Sequence, residues 1–74
     1  MTKKIVTLAG DGIGPEIMAA GLEVLAAVAP KIGFDYSLED KPFGGAGIDA
    51  AGHPLPQDTL KAAKGADAIL LAAI

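Results

Sequence analysis

Seven consecutive residues, Gly10-Asp11-Gly12-Ile13-Gly14-Pro15-Glu16, set three glycines and two carboxylates in one short stretch. Three kinds of chemistry are open to it. Backbone amides at a helix start can cradle a phosphate. Carboxylates can act as general acid or base. Glycines, lacking a Cβ, let the main chain approach a flat ligand closely. Elsewhere the options are few. There is no cysteine and a single histidine, His53, which excludes a disulfide and a Cys/His zinc site. His53 lies between Gly52 and Pro54 and reads as a solvated loop residue without a catalytic role, although its type suits acid-base work near neutral pH.

The phosphate option fails on pattern and on charge. A dinucleotide fingerprint wants glycine at its first, third and sixth positions. Gly10 and Gly12 comply, but Pro15 holds the sixth place and the third glycine, Gly14, comes one residue early. No Gly-Lys-Ser/Thr closes the stretch as in a P-loop. Asp11 and Glu16 would flank any bound anion. A carboxylate about 6 Å from a unit negative charge repels it by roughly 3 kcal/mol at an effective dielectric of about 20, whereas the helix dipole returns about 1 kcal/mol or less. Asp11 and Glu16 therefore read as stabilisers of the bend and of the helix start rather than as an acid-base pair.

The surrounding elements must hold this bend. Residues 3–9 are short, rich in β-branched types and apolar on both faces, which predicts a strand. Pro15 suits a first helical position, with Gly14 as the expected cap. Ile17, Ala20, Val24, Leu25 and Val28 follow helical spacing, and Gly21 falls on that face, where it would allow close packing on a sheet. Pro30 should end or kink the helix and Gly33 complete the stop. Phe34 to Glu39 alternates, predicting a half-buried second strand nearer the sheet edge than the first, with Tyr36 in core packing and Asp35, Glu39 and Asp40 on a solvated acidic edge. From Pro42 to Gly52, five residues are proline or glycine, which argues against a regular helix and for an ordered surface connection. A short helix should run from about Pro56 through Leu60 and Ala63 to Gly65. A third strand, 67–74, reads as buried on both faces. The order β-α-β-loop-α-β predicts an α/β fold with parallel strands and right-handed crossovers.

With 74 residues the chain is one small domain at most, and a core of this size is marginal alone. Because its last residues form an uninterrupted apolar run, it reads as the amino-terminal piece, 1–74, of a larger first domain. The net charge is −3 and all six basic residues are scattered lysines, so no nucleic-acid footprint exists. The stretch after Lys3-Lys4 is too short for a signal-peptide core. The next apolar segment falls short of a membrane span. The expected setting is cytoplasmic.

The stretch Gly10-Asp11-Gly12-Ile13-Gly14-Pro15-Glu16 near the amino terminus resembles that of the β-decarboxylating dehydrogenases, the family of isopropylmalate, isocitrate and tartrate dehydrogenases. The similarity continues through Pro42-Phe43-Gly44-Gly45-Ala46-Gly47-Ile48-Asp49, Gly52-His53-Pro54-Leu55-Pro56, Thr59-Leu60 and Asp67-Ala68-Ile69-Leu70-Leu71, essentially the whole chain. The segment around Gly44 to Asp49 favours the isopropylmalate branch. The resemblance implies an NAD-dependent oxidative decarboxylase of a 2-hydroxy acid, serving leucine biosynthesis, with Mg²⁺ or Mn²⁺ as Lewis acid, and a homodimeric parent. It implies that Gly12, Ile13 and Gly14 neighbour the nicotinamide. It also implies that the substrate arginines, the acid-base pair and the metal ligands follow Ile74. The chain has no arginine, so the 74 residues alone are expected to be inactive. Two other readings stay open: a relative acting on isocitrate, tartrate or malate, and a non-catalytic βαβ module that binds a nucleotide or a partner chain. The three glycines could also serve only a tight strand-to-helix turn.

Overall fold

In the computed structural model, which describes residues 2–74, the first strand is β1, Lys3–Gly10. Its Ile5, Val6, Thr7 and Leu8 are all buried, so both faces are covered as their apolar and β-branched types require. Helix α1, Gly14–Val28, follows and tightens into a 3-10 turn over Ala29–Ile32. Pro30 and the left-handed Gly33 make that stop. The second strand, β2, is Tyr36–Asp40. It starts later than the alternating pattern indicated, because the Phe34 amide donates to the Ala29 carbonyl at 2.9 Å and is spent closing the turn. Helices α2, Gly45–Ala51, and α3, Gln57–Lys64, precede the third strand, β3, Ala68–Ala73.

The sheet has the order β2-β1-β3, with both pairings parallel. β1 is therefore central and β2 lies at an edge, as expected. From β1 the chain steps to one side for β2 and returns to the other for β3. The sheet thus changes direction between β1 and β3, the place where open α/β sheets bind ligands at their carboxyl ends.

Further expectations are corrected. The first concerns α1. Its apolar residues run most of the way round, so periodicity alone does not choose a face. The buried side chain is Met18, with Leu22 and Leu25 half-buried, while Ile17, Val24 and Val28 are exposed. Gly21 is exposed too, and a Cβ there would meet nothing within 4 Å. The second concerns 42–52, where a regular helix, α2, forms despite its glycines. The third concerns β3. Ile69, Leu70 and Leu71 are exposed, because β3 is an edge strand and, among the described residues, α1 leans on it without covering it. Tyr36 is half-buried, stacked on Phe34 with ring centroids 5.7 Å apart, and its strand neighbour Leu38 is exposed. The core proper is Ile5, Val6, Leu8, Met18 and Ala29.

Candidate functional site

The bend after β1 is built by backbone geometry. Gly10 and Gly12 have φ of 82° and 58°, the left-handed region that favours glycine. Between them, the Asp11 amide donates to the Ala73 carbonyl at 3.1 Å, tying the bend to the end of β3. The Gly14 amide returns to the Asp11 carbonyl at 2.9 Å and closes the turn. Gly14 is the first residue of α1 and not its cap; Ile13 holds the cap position, with no side-chain hydrogen bond. Gly14 is buried, and a Cβ on it would collide with the Ala9 carbonyl and lie 2.7 Å from that of Ala73. Close approach of α1 to the ends of β1 and β3 is what this glycine provides.

The outer surface of the bend is different. Gly12 is exposed, a Cβ on it would meet nothing within 4 Å, and Ile13 is 61% exposed. Gly12 and Ile13 thus offer a bare main chain and an apolar side chain side by side, while Gly14 sits beneath them. A cleft of about 340 Å³ lies on the β2 side of α1 between Pro15, Met18, Leu38 and Asp40 and does not include Gly12 or Ile13.

Of the two carboxylates, Glu16 lies at the helix start as the pattern indicated, whereas the Asp11 side chain is not spent on its own bend. Glu16 lies in the first turn of α1 and is exposed. Asp11 Oδ2 accepts the Gly45 amide at 2.5 Å, across 34 positions of sequence, and so caps α2 from outside. Gly44 precedes that helix at φ 66°, and its own amide donates to the Pro54 carbonyl at 2.8 Å. This contact explains why a helix forms where local composition argued against one. Its signal was a capping residue on a different element, which no local window contains.

An anion has little to hold at the start of α1. Of the first two helical residues, Gly14 has its amide engaged by Asp11, and Pro15 has no amide hydrogen. Exposed Glu16 adds a like charge. A flat, uncharged or cationic ring suits the face of Gly12 and Ile13 better.

Several other polar residues make structural contacts. His53 is exposed and its Nδ1 accepts the Leu55 amide at 3.0 Å. Thr59 is fully buried and its hydroxyl donates to the Pro42 carbonyl at 2.7 Å. The acidic edge is more than solvated surface. Glu39 pairs with Lys4 at 2.8 Å and Lys41 at 3.2 Å, and Asp40 accepts the Thr7 hydroxyl at 3.1 Å. The hydrogen-bonded lysine ammoniums, Lys4 first and then Lys41, hold the Glu39 carboxyl below its ordinary range. Among the described residues no three His, Cys, Asp or Glu side chains come together as a metal site. These residues do not fit a divalent cation. No helix among them is long and apolar enough to cross a membrane.

Residues 4–74 match a family model described as isocitrate/isopropylmalate dehydrogenase. A Streptococcus mutans protein named 3-isopropylmalate dehydrogenase is 83% identical over 72 residues, covering 97% of this chain and 21% of that protein. A Streptococcus thermophilus protein of the same name is 80% identical over 74 residues, 100% of this chain and 21% of that protein. Among solved structures, an isocitrate dehydrogenase from Methylococcus capsulatus superposes with a TM-score of 0.79 at 29% identity, covering 97% of this chain and 21% of the other. The chain spans about a fifth of the length of the curated relatives it matches.

Proposed function

The chain belongs to the isocitrate/isopropylmalate dehydrogenase family, and from that membership we propose that the protein carries out the NAD-dependent oxidative decarboxylation of 3-isopropylmalate in leucine biosynthesis. The choice of substrate rests on the name its bacterial relatives bear. In this reading the protein is a cytoplasmic homodimer. Mg²⁺ or Mn²⁺ is a second cofactor, and its ligands lie outside these residues.

One observation carries the assignment of the site: an exposed pair, Gly12 and Ile13, stands at the carboxyl end of β1 beside the change of direction in the sheet. NAD, when bound, supplies the carbon that accepts hydride. This chain contributes shape. The Gly12 main chain lets the nicotinamide approach, Ile13 gives it an apolar wall, and Gly14 keeps α1 tight beneath both. Asp11 spends its carboxylate on α2, and Glu16 reinforces the start of α1.

A substrate panel on the full-length protein tests the reading. NADH formation should be most efficient with 3-isopropylmalate, ahead of isocitrate, tartrate and malate. Preference for one of the other acids would move the protein to another branch of the family. Absence of turnover with all of them would favour a non-catalytic module.

A further inference from the structure

Asp11 lies where three elements meet. Its backbone amide is bonded to the end of β3, its carbonyl to the first residue of α1, and its carboxylate to the first residue of α2. The fit is close where its carboxylate meets the start of α2. A Cβ on Gly45 would collide with the Asp11 carboxylate, and one on Gly44 would collide with the Ile74 side chain and lie 3.3 Å from Asp11 Oδ2. The Asp11 side chain therefore packs against the Gly44-Gly45 main chain. The residues that follow it, Gly12 and Ile13, have no comparable restraint on their outer side.

We propose that Asp11 is a positioning residue for the cofactor: by accepting the Gly45 amide it fixes the height of the Gly12-Ile13 bend against the nicotinamide ring. The inference rests on the reading of that bend as the ring's neighbour. Its physical basis is that α2 has no cap within its own sequence neighbourhood, so the Asp11 carboxylate and the helix start hold each other. Removing the acceptor uncaps α2 and leaves the bend held only by its backbone bonds to Ala73 and Gly14. The bend then samples positions that a flat ring cannot meet equally well, and productive contact suffers from small displacements.

The test uses the full-length protein with three variants, Ile13→Ala, Asp11→Ala and Asp11→Asn, and two readouts. These are the dissociation constant and emission maximum of bound NADH, and the separate KM values for NAD and for the hydroxy acid. Ile13→Ala reports whether the bend touches the ring at all. Asp11→Ala should weaken NADH about tenfold and shift its emission toward that of free NADH, with little change in the KM of the acid. Asp11→Asn keeps an oxygen that accepts from Gly45 and should recover most of the affinity, which a role based on charge would not allow. If Asp11→Ala fails to fold, the comparison of Asp11→Asn with the wild type still decides: affinity lost in step with the missing charge overturns the proposal. If Ile13→Ala weakens NADH and Asp11→Ala does not, the bend touches the ring but Asp11 does not position it. If Ile13→Ala has no effect, the reading of the bend falls, and the proposal with it.

Discussion

The Asp11 amide donates to the Ala73 carbonyl at 3.1 Å, joining the end of β1 to the end of β3 where the strand order changes direction. The same carbonyl stands 2.7 Å from where a Cβ on Gly14 would lie. One backbone oxygen thus helps set the bend and forbids a side chain at the first residue of α1.

Gly14→Ala should accordingly be costly. The added methyl meets backbone oxygens of Ala9 and Ala73, which cannot rotate away as a flexible side chain would. Overpacking of this kind costs about 1–3 kcal/mol. Gly21→Ala, in the same helix, is expected to go the other way. Gly21 is exposed, a methyl added there would meet nothing within 4 Å, and alanine should stabilise α1 by about 0.4–1 kcal/mol. Denaturant midpoints of the two variants, measured on the full-length protein, should move in opposite directions.

Thr59 tests the anchoring of α3. Thr59→Val keeps the shape of a fully buried side chain but leaves the carbonyl of half-buried Pro42 without its 2.7 Å donor. A loss of about 1 kcal/mol is expected. Thr59→Ser keeps the donor and should lose less than Thr59→Val. A valine variant as stable as the wild type would mean that the carbonyl finds another partner.

Why some elements could be read from the sequence and others could not follows from the range of their determinants. β1 is legible because Ile5 to Leu8 are apolar or β-branched in succession, and only a central strand buries such a run. The existence of α1 is legible from Pro15 to Pro30, but its face is not. Ile17 and Met18 are both apolar neighbours, and the one buried is Met18, where Gly14 brings α1 close to the strand ends. Local signals opposed α2, since each helix glycine costs about 1 kcal/mol relative to alanine. Its capping bond comes from Asp11, 34 residues away. At the site, the inward use of the Asp11 carboxylate was equally hidden, whereas the missing amide hydrogen of Pro15 and the charge of Glu16 were plain in the sequence itself.

Glu39 should give the β1–β2 edge a weak dependence on acid. Its folded pKa is lowered from the ordinary 4.5 by Lys4 and Lys41. A depressed carboxylate stabilises the fold above its unfolded pKa, and that contribution is lost as pH falls through the lower folded value. The pair is exposed, so the effect is small and screened by salt. The stability difference between wild type and Glu39→Gln should therefore be present at neutral pH, shrink as pH falls below 4.5, and shrink also in high salt. A side-chain carboxyl titration by NMR that placed Glu39 at or above its ordinary value would contradict the paired geometry.

The groove between α1 and β3 makes the last expectation. It measures about 330 Å³ and is walled by Ile17, Gly21 and Val24 on one side and by Leu70, Leu71 and Ala72 on the other. Val24 is 63% exposed and Leu71 54%. Contiguous apolar surface of this kind associates in water, and the open edge of β3 adds unpaired backbone groups. The 74-residue chain on its own should therefore sediment as more than a monomer. Val24→Lys and Leu71→Lys each place a charge on one wall, and each should shift the population toward monomer. The same chain should form no NADH from NAD and 3-isopropylmalate, because it has no arginine to grip a dicarboxylate and, among its described residues, no metal cluster. A monodisperse monomer would mean that the helix and strand close the groove between themselves in solution, and turnover would mean that the lysines suffice where guanidinium groups were required.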